Sequence, residues 1–190
     1  MDWTKIAGAL LIFLVLPMAS LAQALPSHDR VHSEVQKTPA GELILIQSFT
    51  LDAPAEEVWE FFSKEDKFSM WVAPLVEIDM KINGTIRLNH NPAGSLDDDN
   101  TVTNHILNYV PGKLITLRPV IPDYFPDYMQ QNEENFYSIT LFRPTDDGQT
   151  EVTLYGMGYP DQEKYHEMIA FFAEGNAIAF SKLISILETD

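Results

Sequence analysis

The chain has 190 residues, with 28 acidic against 12 basic side chains, a formal net charge of −16 at pH 7 and no cysteine. That negative surplus argues against nucleic acid and anionic lipid surfaces as partners, and the lack of thiols removes disulfides, metal thiolates, thiol catalysis and an acyl anchor on a lipobox cysteine. A length of this order fits one domain around one sizeable core.

The chain opens MDWTKIAGALLIFLVLPMASLAQALPS, in which Ile6 to Leu16 is an unbroken apolar run and Ala22-Gln23-Ala24 sets small residues two apart. The run is too short for a permanent membrane span, which takes about 20 apolar residues. It fits a secretory signal over residues 1–24, cleaved after Ala24, and so a secreted or periplasmic protein. Asp2 offsets Lys5, so the usual positive start is missing. No other segment reads as a span, and no stable membrane anchor is expected.

Residues 25–41 are polar and turn-rich, with Pro26, Pro39 and Gly41, and read as a mobile leader. His28 and His32 stand four apart in it without a third ligand at suitable spacing. The remaining histidines at 90, 105 and 166 are scattered, and no metal site is expected.

From Glu42 the pattern turns to β, and LILIQSFTL reads as the first strand of a domain covering residues 42–190. Pro54 suits the first position of a short helix, Glu56 and Glu57 favour its N-terminal dipole end, and Val58, Phe61 and Phe62 form an inward stripe. A second short aromatic helix follows and carries Trp71. Residues 75–80 and 85–90 flank Asn83-Gly84, a strong hairpin signal. Asn83-Gly84-Thr85 also matches a glycosylation acceptor, although the turn accounts for it fully.

Residues 91–100 hold Asp97-Asp98-Asp99 and read as a solvated loop, since a calcium loop needs alternating oxygens that this run lacks. Strands follow at 101–110 and 114–119 around Pro111-Gly112, and at 136–142 and 151–157 around Asp146-Asp147-Gly148. Between these pairs lies the irregular stretch 121–135, whose Tyr124, Phe125, Tyr128 and Met129 fit either a gate over a cavity or an insertion that packs its own aromatics. Residues 161–188 form a final long helix with a broad apolar side carrying Tyr165, Met168, Ile169, Phe172, Ala179, Leu183 and Leu187.

The stretch FTLDAPAEEVWEFFSKEDKFSMWVAP, Phe49 to Pro74, resembles the opening of the START-like, or SRPBCC, superfamily, closest to the branch of the activator of Hsp90 ATPase homologue and polyketide-cyclase-like proteins. TVTNHILNYVPGKLITL and the long last helix resemble the same family, over roughly Leu43 to Glu188. The resemblance implies an α+β helix-grip (Bet v 1/START-like) fold. In it a curved antiparallel sheet of about six to seven strands wraps a long C-terminal helix, with two short helices after strand 1. Two departures stand out: Asn83-Gly84 where the family often has Gly-Gly, and Asn176 where its last helix often has tryptophan.

The implied fold places a mostly apolar cavity between sheet and helix. Polar residues in phase with apolar strand positions are then the candidates for ligand contact. They are His90 beside Ile86 and Leu88, Asn104 beside Val102 and Ile106, and Tyr137 beside Ile139 and Leu141. On the last helix the candidates are Phe172 and Asn176, with Gly175 opening room, and Trp71 is expected to close one end. A one-residue phase error would exchange His90 for His105. No G-x-S-x-G, phosphate-binding glycine loop or nucleophile with a base partner is present, so no catalytic residue and no cofactor is assigned.

The leading expectation is an exported binding module for a small hydrophobic molecule or lipid. The alternative is a cyclase, dehydratase or hydrolase using acid–base residues of the cavity. A co-chaperone role, which the family name implies, ranks below both because an exported chain does not meet cytosolic Hsp90.

Overall fold

A computed structural model describes residues 23–25 and 30–188, so the apolar run Ile6 to Leu16 and His28 lie outside the described residues. The elements are β1 (Gln23–Ala24), β2 (His32–Lys37), β3 (Glu42–Leu51), α1 (Ala55–Ser63), α2 (Glu65–Ser69), β4 (Leu75–Ile78), β5 (Thr85–Asn89), β6 (Val102–Val110), β7 (Leu114–Val120), α3 (Asp127–Gln130), a 3₁₀ turn (Glu133–Asn135), β8 (Tyr137–Pro144), β9 (Thr150–Pro160) and α4 (Glu163–Glu188). The strands form one antiparallel sheet in the order β1-β2-β3-β9-β8-β7-β6-β5-β4. β3 to β9 are the seven strands of the helix-grip arrangement, and the chain crosses from β3 to the far edge through α1 and α2.

β1 and β2 are additional, and β2 corrects the reading of residues 25–41 as a mobile leader. Val31, Ser33 and Val35 alternate inward and are all buried, while the register pairs Ser33 with Gln47 and Val35 with Leu45. The period is hard to see in the sequence because its middle member is polar. Ion pairs Arg30–Glu188 and Lys37–Asp161 hold the two ends of this segment to the two ends of α4.

α1 starts at Ala55, one residue after Pro54, whose carbonyl accepts from the amides of Glu57 and Val58. Its Val58, Phe61 and Phe62 are buried as the stripe requires. They join Phe49, Trp71, Phe142, Phe180 and Leu183 in the larger of two hydrophobic clusters. The smaller cluster gathers Leu43, Leu45, Tyr159, Tyr165, Met168 and Ile169 at the other end of α4.

The stretch 121–135 supplies part of that smaller cluster. Met129, Ile121 and the following Phe136 are buried, Tyr128 donates from its hydroxyl to the Lys164 carbonyl at 3.2 Å, and the Asn132 amide donates to the Gly158 carbonyl at 2.9 Å. It is an insertion that packs its aromatics onto α4, with Tyr124 left exposed. α4 itself, 26 residues with a mean hydropathy of 1.4 over its most apolar window, is long and apolar enough to cross a membrane, contrary to the expectation that no other segment is. Here it lies on β3, with Ala173, Ala177, Phe180 and Ile184 buried.

Candidate functional site

Paired residues on adjacent strands point to the same side of a sheet, so the register fixes which side chains look toward α4. One inward row runs Ile106, Leu117, Ser138, Gly156, Leu45, Val35, and the next runs Tyr109, Ile115, Thr140, Leu154, Gln47, Ser33. Beyond the first row, Ile86 pairs with Asn104 and Asn104 with Pro119.

Where α4 covers β3 these rows are buried. Farther along, Asn104, Leu117, Ser138 and Leu154 are only partly covered, although flanked by fully buried Ile106 and Ile115. On α4, Phe172, Asn176 and Ala179 are likewise partly covered and share one flank by their i, i+4, i+7 spacing. That flank faces away from β2: Glu188, on the opposite flank, meets Arg30, whereas Tyr165 meets Phe136 at the start of β8 with ring centroids 6.2 Å apart. The helix flank and the β6–β8 wing thus border a partly covered band that runs from the larger cluster, against which Leu117, Leu154 and Ala179 pack, to the smaller, against which Phe172 packs.

The floor of this band is polar and ordered. Gln47, with 0% exposure, donates from Nε2 to the Ser33 hydroxyl and to the Ala173 carbonyl, each at 2.9 Å. Asn176 Nδ2 donates to Gln47 Oε1, also at 2.9 Å. Tyr159 comes from a bulge: Leu45 pairs with Gly156 but Leu43 with Tyr159, and Gly158 between them has φ +91°. The extra residue turns Tyr159 inward, and its hydroxyl lies 3.0 Å from where a Cβ on Gly156 would be. Burial pushes the Tyr159 hydroxyl up to about 12, so it stays a neutral donor at ordinary pH.

Among the residues singled out from the sequence, Asn104, Phe172 and Asn176 border this band. Trp71 is buried at one end, donating from Nε1 to the Phe61 carbonyl at 2.9 Å and lying against Phe62, Phe68 and Phe180. Two placements are corrected. β5 ends at Asn89, so His90 lies beyond the alternation and is exposed. His105 does not replace it, because it pairs with Thr85 and Arg118 on the outer face. Tyr137, Ile139 and Leu141 also face outward: Leu141 is 36% exposed and Phe142 4%. The apolar pair Ile139 and Leu141 is misleading, because the inner face of β8 carries Ser138 and Thr140.

Gln47, Ser33, Ser138, Thr140 and Tyr159 were not singled out in the sequence. The one available signal was the alternation Phe136, Ser138, Thr140, Phe142, which places large apolar residues at both ends of a polar inner run. Two clefts of about 430 and 500 Å³ lie elsewhere, one beside Arg30 and Glu151 and the other beside Asp99, Asp123 and Tyr124 on the outer face.

A seven-strand antiparallel sheet gripping a long C-terminal helix, with two short helices after its first strand, defines a helix-grip protein of the SRPBCC, START-like class. Residues 52–188 match the family described as Activator of Hsp90 ATPase homolog 1-like protein, and the chain belongs to that family. No curated protein matches it significantly. Among solved structures, the solution structure of the Aha1 dimer from Colwellia psychrerythraea is similar at 12% identity and a TM-score of 0.59, over 76% of this chain and 96% of that one. A protein of unknown function from Staphylococcus aureus is similar at 16% identity and 0.58, over 79% and 97%. A conserved protein of unknown function from Enterococcus faecalis is similar at 16% and 0.56, over 81% and 75%. At these identities the likeness is one of fold.

Proposed function

We propose that this chain is an exported carrier or sensor that holds a small, mostly apolar molecule between the α4 flank and the β6–β8 wing. The observation that carries this reading is the partial exposure of Leu117 and Leu154 on the inner face, opposite Phe172 and Ala179. Apolar surface left uncovered inside a grip gains by acquiring a ligand, at about 25 cal/mol per Å² removed from water. The acid–base alternative loses its histidine, since His90 lies outside, and would have to work through Tyr159, which burial keeps protonated.

Native mass spectrometry of the purified protein, followed by thermal shift with small apolar compounds, tests the reading. Retained ligand or a raised melting temperature is expected; an empty protein that no compound stabilises overturns it.

Export rests on the apolar run before Ala24. Sequencing the N-terminus of protein recovered from the secreted or periplasmic fraction is expected to begin at Leu25. Cleavage there removes β1 and frees the outer edge of β2 at Glu34 and Val35, where Ala24 and Gln23 pair. The Hsp90-activator role in the family's description is the lesser reading on account of that export. Recovery of uncleaved protein from the cytosol in complex with Hsp90 would reverse the order.

A further inference from the structure

Three hydroxyls meet the inner band on β8 and β9, and none has a partner among the described residues. Tyr159 is 8% exposed and Thr140 5%, so both are more than nine-tenths buried, and Ser138, which pairs with Gly156, lies between them. Every fully buried side-chain nitrogen or oxygen among the described residues has a hydrogen-bond partner. The unpartnered Tyr159 and Thr140 hydroxyls therefore open onto accessible space. Adjacent strands bring the Ser138 side chain within about 5 Å of the Gly156 position, and the Tyr159 hydroxyl lies 3.0 Å from where a Cβ there would be.

The two inner rows that border the band contain no lysine, arginine, histidine or acid, and in the row of Tyr159 the one basic residue, Lys37, stands at the far edge beside Leu43 and is neutralised by Asp161. The basic residues of this wing all fall on the outer face: Arg87 pairs with Thr103, and Arg118 with His105. Arg87 is moreover engaged by Glu77 and by the Leu96 carbonyl. A carboxylate or phosphate seated among these hydroxyls would lose its hydration without gaining a counter-charge, which is costly, whereas a neutral oxygen loses little and supplies the missing acceptor.

We infer that the ligand is an uncharged amphiphile whose carbonyl, ester or hydroxyl oxygen accepts from Tyr159 and Ser138, with its apolar body along Leu117, Leu154 and Phe172. The inference rests on the ligand-binding reading above. It gives that reading a chemical class: neutral lipid-like ketones, esters or alcohols, with free fatty acids and phospholipid headgroups disfavoured.

The test uses the full chain at pH 8 with four probes of equal length: decane, 2-decanone, 1-decanol and decanoate. Affinities are read by competition with an environment-sensitive dye and checked by thermal shift. 2-Decanone and 1-decanol are expected to bind at least tenfold more tightly than decanoate. Tyr159→Phe, which keeps the ring, is expected to weaken 2-decanone about tenfold and leave decane unchanged; Ser138→Ala is expected to act in the same direction with less effect. Decanoate binding as well as the ketone, or ketone affinity unchanged in both variants, overturns the neutral class while leaving ligand binding intact. If none of the four probes binds, the ligand-binding reading itself fails and the inferred class goes with it.

Discussion

Asn176 donates to Gln47 at 2.9 Å, joining α4 to the middle of β3 between Leu45 of one hydrophobic cluster and Phe49 of the other. Gln47 has no exposed surface, and its amide also serves Ser33 and Ala173, so one side chain ties β2, β3 and α4 together. Removing it strands buried partners, which costs more than the bonds contribute in net terms. Gln47→Leu is expected to lower unfolding stability by about 2 kcal/mol, read as a shift of the urea midpoint. Asn176→Ala is expected to cost about 1 kcal/mol or less, because Asn176 is partly exposed. A Gln47→Leu protein as stable as the parent would show that the network contributes nothing.

Two glycines separate backbone strain from helix propensity. Gly158 has φ +91°, and a Cβ there would lie 1.9 Å from the Asn135 carbonyl oxygen, which belongs to backbone and cannot yield cheaply. Gly158→Ala is expected to cost about 3 kcal/mol or more and to disturb the inward turn of Tyr159. Gly175 is exposed within α4 and has nothing within 4 Å of its Cβ position. Gly175→Ala is expected to stabilise by about 0.5–1 kcal/mol. Thermal unfolding of both variants reads the contrast, and loss of stability in Gly175→Ala would mean that the outer side of α4 needs the space.

The helix-grip frame was legible because its signals are local and apolar: the Val58, Phe61, Phe62 stripe, the Asn83-Gly84 turn and the long amphipathic α4. Asn83 does take a positive φ of 64°. The site was less legible because it is built from polar residues on inward faces, against the assumption that inward means apolar. That assumption chose Ile139 and Leu141 over Ser138 and Thr140 and so reversed the face of Tyr137. Tyr159 depends on a bulge that only pairing reveals. β2 was missed for the same reason, since Ser33 interrupts its apolar alternation exactly where Gln47 requires a partner.

Glu60 gives a pH signature to α1. Lys64 and Lys67 hydrogen-bond its two carboxylate oxygens, Lys67 at 2.6 Å, and lower it from 4.5 to about 2. A depressed carboxylate contributes stability that is complete above its unfolded value and is lost as pH falls through its folded one. The loss therefore spans about pH 4.5 down to about 2. Because the pair is exposed, salt is expected to screen it. Glu60→Gln is expected to flatten the acid limb of the stability curve in that window at low ionic strength, with little change at neutral pH. An unchanged acid limb would place the decisive carboxylates elsewhere.

Tyr159 gives the opposite signature at the alkaline end, and from the site itself. Desolvation raises its hydroxyl from 10.0 to about 12, so between these values the unfolded chain has released a proton that the folded chain still holds. The unfolded state binds fewer protons there, and stability falls as pH rises from about 10 toward 12. Tyr159→Phe has no proton to release, and its alkaline limb is expected to be shallower than that of the parent in urea unfolding between pH 9 and 11. Ultraviolet titration of tyrosinate is expected to lose one late-titrating group in the variant, while Tyr165, which desolvation also raises, still titrates late. An uncharged ligand accepting from Tyr159 binds only the protonated form, so its affinity is expected to hold constant up to the folded value and to fall above it. Affinity that falls instead near the ordinary tyrosine value of 10.0 would show Tyr159 to be hydrated rather than enclosed, and would remove the donor from the inferred contact.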